Sequence, residues 1–160
     1  MKSIRNKVTL SYIGIIIFTV IISQIIVLTS IKKYFYDNAK ELLKNQITLS
    51  AEFYNTYLSS IDLKQNVAND VDIFWKNTSA EVQILDTKGN MLMDSMGYSA
   101  NDIVTSKDFN EALLGNLGLS IHKASDSNEN IMSISMPLKK GETIQGVLQF
   151  VSSLNKIDNH

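Results

Sequence analysis

Residues 130–151 read NIMSISMPLKKGETIQGVLQFV, and two strands are written in them. Met132, Ile134 and Met136 alternate with Ser133 and Ser135. Lys139-Lys-Gly-Glu142 then supplies a polar turn. Beyond it Ile144, Leu148 and Phe150 alternate with Gln145 and Gln149. A side-chain period of two belongs to a strand whose two faces meet different surroundings. Strands are therefore predicted over 130–138 and 143–151.

Working outward, the same parity appears upstream. Leu117, Leu119 and Ile121 alternate with Gly118, Ser120 and His122, giving a strand over 117–123 that the polar loop Asp126-Ser-Asn-Glu129 separates from the next. Lys107 to Leu114 reads as a short helix, with Ser106 as N-cap and Gly115 as its stop. Glu81–Asp86 and Met91–Asp94 flank the turn Thr87-Lys-Gly-Asn90 and make a hairpin. The order is long helix, two strands, helix, three strands. That order predicts an α+β domain, an antiparallel sheet of about five strands with helices against it.

One sheet face is apolar and must be buried. The other carries Ser, Gln, His and Gly but hardly any charge. It is either the floor of a small polar pocket or a solvated face that happens to lack Lys and Glu.

Residues 8–31 hold no charged side chain. Those 24 residues span roughly 36 Å as a helix, against a hydrocarbon core of roughly 30 Å. A cleaved signal peptide would have a shorter apolar run ending in small residues. This run ends Leu28-Thr29-Ser30-Ile31-Lys32-Lys33, so an uncleaved membrane anchor in the lipid bilayer is expected. The division is then a cytoplasmic tail 1–7, a transmembrane helix 8–31 and an extracytoplasmic domain 32–160. Orientation is not decided by charge. Lys2, Arg5 and Lys7 precede the run, and Lys32, Lys33, Lys40 and Lys44 follow it. The domain is placed outside because a segment of its length translocates largely regardless of charge.

Ser11, Thr19 and Ser23 share one stripe of the anchor, which suits close approach of a second helix and equally suits chance. Tyr34-Phe-Tyr36 falls where an aromatic belt would meet the outer leaflet. Tyr36, Leu43, Ile47, Tyr54, Tyr57 and Ile61 keep to one helical face, and no Gly or Pro interrupts 32–80. The membrane helix is therefore expected to continue as one rod to about residue 66.

Composition excludes several functions. The chain has 15 Lys+Arg and 16 Asp+Glu, a formal net charge of -1. The part from residue 32 onward has 12 Lys against 16 acids, so -4. Neither balance suits nucleic acid, which needs a positive field. There is no Cys, hence no disulfide, thiolate metal site or cysteine nucleophile. His122 and His160 are the only histidines, too few for a catalytic triad without a fold-given acid. No phosphate-binding loop is present, since Gly115-Asn-Leu-Gly118 leads into a strand. Asn69, Asp70 and Asp72 lack the Gly and distant Glu of a calcium loop. No catalytic residue, metal or cofactor is expected. Trp75, beside Phe74, reads as a core anchor.

The arrangement resembles the membrane anchor and extracytoplasmic sensor domain of bacterial two-component sensor histidine kinases, a PAS-like type also called PDC or single Cache. The likeness is carried by Lys7-Val-Thr-Leu-Ser-Tyr12, Ile31-Lys-Lys-Tyr-Phe-Tyr36, Val82–Met91 with Met93-Asp-Ser95, Lys107–Gly115 and Gln145–Val151. Chemoreceptors and cyclic-dinucleotide enzymes use similar input domains. The resemblance implies a homodimer and a small-molecule or protein signal. It also implies a ligand between the sheet and the segment after the second strand, which points to Tyr98, His122, Ser133 and Ser135. The kinase core of such proteins has no counterpart in these residues. No His is followed by the acid and Pro of a phospho-acceptor box, and no ATP-binding glycine boxes occur. The expectation is an isolated input module without enzymatic activity, or else a tethered protein-interaction domain.

Overall fold

The computed structural model describes residues 4–69, 78–97, 103–123 and 129–154. Its elements are α1 (Ile4–Phe53), a π turn (Tyr54–Leu58), α2 (Leu63–Asn69), β1 (Glu81–Asp86), β2 (Met91–Asp94), α3 (Lys107–Leu113), β3 (Gly118–Lys123), β4 (Asn130–Lys140) and β5 (Thr143–Ser153). The predictions for Asn69-Asp70-Asp72, Phe74, Trp75 and Tyr98 fall wholly or mainly outside the described residues. Two compact units divide at Asn38/Ala39.

In the first unit every described side chain from Asn6 to Ile31 is exposed. This part of α1 is long and apolar enough to cross a membrane.

In the second unit the five strands form one sheet, ordered β2-β1-β5-β4-β3, with every pairing antiparallel. The β1–β2 turn is fixed by Asp86. Its Oδ1 accepts the backbone N–H of Lys88 at 2.8 Å and of Asn90 at 2.9 Å. Gly89 takes the positive φ of 86° that the turn requires.

Register sorts the side chains. Leu119, Ile134 and Phe150 lie across from one another, as do Met136, Leu148 and Ile84. Val82, Ile84, Met132, Ile134, Leu148 and Phe150 are fully buried on this apolar face, and Leu43, Ile47, Ala51, Tyr54, Leu63 and Val67 are buried on the neighbouring helices. Burying each large apolar side chain stabilises the fold by about 1.5–3 kcal/mol before chain entropy is counted. Asn55 Oδ1 accepts the N–H of Lys139 at 2.6 Å and ties the π turn to β4. Gly146 lies where the β1 backbone at Leu85 and the Leu63 side chain leave no room for a Cβ.

The expected single rod to residue 66 is corrected. Helix α1 ends at Phe53, and α2 begins only at Leu63. No Gly or Pro is needed for the break, because polar side chains satisfy the freed backbone. Ser59 Oγ donates to the Asn55 carbonyl at 2.8 Å. Asn66 Nδ2 donates to the Leu58 and Ile61 carbonyls at 2.7 and 3.3 Å. The wider π turn also rotates the apolar stripe. Leu43, Ile47 and Tyr54 face the core as expected, whereas Tyr57 and Ile61 are exposed.

Candidate functional site

The polar sheet face is neither open nor solvated at its centre. Ser133, Ser135 and Gln149 are all buried. Helix α3 packs across β3, β4 and β5 on this side. Phe109 and Ala112 of α3 meet Leu85 and Val147 in a small apolar cluster. Gly118 makes the close approach possible, since a Cβ there would strike the Asp108 backbone.

Asp108 is the residue that α3 brings down onto the polar strip, and it is fully buried. Its Oδ1 accepts Ser120 Oγ at 2.6 Å. Its Oδ2 accepts Ser135 Oγ at 2.6 Å and Gln149 Nε2 at 2.6 Å. Desolvation pushes the carboxyl pKa up, but these three bonds and one from Ser106 outweigh it and hold the group below the ordinary 3.8. One ionised side chain thus joins α3 to three strands through neutral donors. Ser106 occupies the N-cap position of α3, yet its hydroxyl makes no capping bond. That hydroxyl oxygen instead accepts Gln149 Nε2 at 3.4 Å. Gly115 stops the helix with a φ of 90°, as expected.

A second polar group sits toward the β2 edge of the same face. Gln83 Nε2 donates to Glu81 Oε1 at 2.6 Å and to Asp94 Oδ2 at 3.3 Å. Partial burial and then the negative charge of Asp94 push the Glu81 carboxyl above the ordinary 4.5, and the bond from Gln83 offsets only part of this.

At the opposite edge a cavity of about 480 Å³ is lined by Ser106, Lys107, Leu119, Ser120, Ile121 and His122. Strand β3 is an edge strand of the sheet, and His122 and Ile121 are exposed on it.

The sequence-predicted site residues therefore separate. His122 lines the edge cavity. Ser135 is committed to Asp108. Ser133 is buried one row further along, across from Ser120 and Val151. Sequence reasoning misses Asp108, Ser120 and Gln149 as a group. The signal present is an acid in the first turn of a short helix, followed by strands with Ser and Gln on their inner parity. No group of three or more metal-binding side chains occurs among the described residues.

The sheet order, the long N-terminal helix and the short helix laid across one face define a sensor-domain fold of the PDC/Cache, PAS-like type, as the resemblance implied. The sequence matches no protein-family model and no curated protein. Among solved structures, the sensory domain of the Campylobacter jejuni chemoreceptor Tlp3 superposes with a TM-score of 0.65 at 15% identity. That match covers 81% of this chain and 59% of the Tlp3 chain. The sensor domain of the V. cholerae histidine kinase DctB matches with a TM-score of 0.56 at 14% identity, over 81% of this chain and 56% of that one. The E. coli DcuS sensor domain matches with a TM-score of 0.55 at 11% identity, over 74% of this chain and 93% of that one. The chain thus spans well under two thirds of the Tlp3 and DctB domains. At such identities the likeness establishes the fold.

Proposed function

We propose that this chain is the membrane-anchored, extracytoplasmic signal-sensing input part of a sensor histidine kinase, with its N-terminus in the cytoplasm. The observation that carries the reading is the pairing of a sensor-domain sheet with an apolar helix able to span a bilayer. Kinase chemistry is assigned to parts other than these residues. The signal, a small molecule or a protein, is received by the sheet domain and passed on by displacement of α1 in a homodimer. The dimer is supported by a second apolar stripe. Leu42, Leu49, Phe53 and Tyr57 fall on one side of the stalk and stay exposed, with the Phe53 and Tyr57 rings 5.1 Å apart. A second copy anchored in the same membrane presents the same residues at the same height. The chemoreceptor reading is the alternative, and the Tlp3 match favours it equally.

Three measurements test the proposal. Alkaline phosphatase fused after residue 154 is expected to be active outside the cell. The chain has no cysteine, so Leu49→Cys introduces a unique thiol, and it is expected to cross-link between copies in membranes. An inactive fusion overturns the orientation, and monomeric Leu49→Cys overturns the dimer. A Gly–Pro pair inserted near Lys44 in a chimera with a kinase core is expected to uncouple output. Unchanged signalling would sink the helix mechanism.

A further inference from the structure

We infer that Gln24 pairs with its counterpart in a second copy inside the bilayer, the two side-chain amides bonding to each other within a heptad seam of the membrane helices. The inference rests on the membrane-anchored dimer proposed above and names its contact within the hydrocarbon.

Gln24 is the single side-chain amide in the uncharged run 8–31. Lipid tails offer it neither donor nor acceptor, so leaving it alone there is unfavourable. Two hydroxyls of the run bond back to their own helix. Thr19 Oγ1 donates to the Ile16 carbonyl at 2.9 Å, and Thr29 Oγ1 to the Ile25 carbonyl at 2.7 Å. No such bond is found for Gln24 among the described residues. Escape to the headgroups is poor as well. Gln24 stands seven residues before the end of the run, roughly 10 Å inside it. Its Cα–Cβ bond tilts toward the helix N-terminus, away from that nearer boundary.

A side-chain amide both donates and accepts, so it is complementary to a second amide. A second copy anchored in the same membrane brings that amide to the same depth. Contact at Gln24 then fixes the face. Ile17, Ile21, Gln24, Leu28, Ile31 and Phe35 follow at steps of 4, 3, 4, 3 and 4, the spacing that winds two helices around each other. All six are exposed and lie in the first unit, Met1–Asn38. One step earlier in the same spacing stands Gly14, where a Cβ would meet nothing within 4 Å, and a residue this small lets two backbones approach. Beside the seam, Ser23, Gln24, Val27 and Leu28 line a hollow of about 370 Å³ that can receive a side chain of the facing helix. Counted along the sequence, the spacing reaches Leu42 and Leu49, residues of the stalk stripe. Ser11 and Thr19 fall on the opposite side of the helix, and the Thr19 hydroxyl is already engaged.

The test uses the full chain, which has no cysteine of its own. Ile21→Cys and Leu28→Cys lie on the seam, and Ile22→Cys and Ile26→Cys lie opposite. Oxidation in membranes is expected to cross-link the first two several times faster than the last two. Gln24→Leu is expected to weaken association about three- to tenfold in phosphatidylcholine vesicles, and Gln24→Asn to retain most of it. The readout is energy transfer between labels on Leu154→Cys as lipid is added. Equal cross-linking at all four positions, or faster cross-linking at Ile22 and Ile26, overturns the seam. Unchanged or tighter association of Gln24→Leu overturns the amide pair. Cross-linked products that contain a different protein overturn the second copy as the occupant. If Leu49→Cys cross-links and no membrane position does, the seam falls and the proposed dimer stands. If none of them cross-links, both fall.

Discussion

The two faces of the sheet are buried by different physics. Toward α1 and α2, the face is apolar throughout, with Val82, Ile84, Met132, Ile134, Leu148 and Phe150 fully buried. Toward α3, the centre is polar, with Ser135 and Gln149 buried against a carboxylate. The apolar face is held by removal of area from water, which is non-directional and tolerates small shifts. The polar face is held by three hydrogen bonds of 2.6 Å to one side chain, which fix α3 at one position over β3, β4 and β5. Burial of polar groups without those bonds would be unfavourable. The comparison teaches that a polar strip on a sheet does not imply water above it. It can imply a charged residue on the covering element.

Substitutions that strike one face at a time sharpen this contrast. The largest effect is expected at Phe150→Ala, a loss of about 3–5 kcal/mol from the apolar face, read by urea unfolding of the full chain in detergent. Asp108→Ala is expected to cost about 3 kcal/mol, because Ser135 and Gln149 are left as buried donors, and Ser120 as a half-buried one, without an acceptor. Hydrogen exchange separates the two variants. Asp108→Ala loosens α3 first, and Phe150→Ala lowers protection across the whole sheet. If Asp108→Ala left α3 protection unchanged, the contrast between the faces would fail. Gly118→Ala comes next, at about 2 kcal/mol, since its Cβ meets the Asp108 backbone.

Acidification tests the same face with a smaller effect. The Glu81 pKa is raised in the fold, so its ionised form is disfavoured and stability rises as pH falls toward 4.5. The Asp108 pKa is lowered, so its contribution is complete above 3.8 and is lost as pH falls through the folded value. Asp86, lowered as well, acts in the same direction. A stability maximum in the mildly acid range is expected, and Glu81→Gln flattens its upper limb. The smallest effect is expected at Ile121→Ser, under about 1 kcal/mol. Ile121 has strand parity with the core residues yet is 47% exposed at the sheet edge.

Much of the fold is legible in the residues alone. The period-two patterns of 81–94 and 117–151 are local, because parity and turn residues act over a few positions. The short helix and its Ser106 and Gly115 limits are legible for the same reason. The break after Phe53 is not, because Ser59 and Asn66 replace backbone bonds with side-chain ones, and nothing in composition marks it. The Asp108 site is not legible either. Its partners Ser120, Ser135 and Gln149 stand 12, 27 and 41 residues away. The family resemblance points His122 and Ser135 to one pocket, but they take part in different arrangements.

What the sequence determined by itself is the chemistry carried along the chain: an uncharged run long enough for a bilayer, five strands, one short helix, no cysteine and scarcely any histidine. Tertiary structure alone decided which polar residues became neighbours. Strand pairing in the order β2-β1-β5-β4-β3 brings distant residues into one row, and the packing of α3 sets a single charge above that row. Local pattern fixes which way a side chain points. What it points at depends on contacts between segments far apart in the chain, and these form only when the sheet closes.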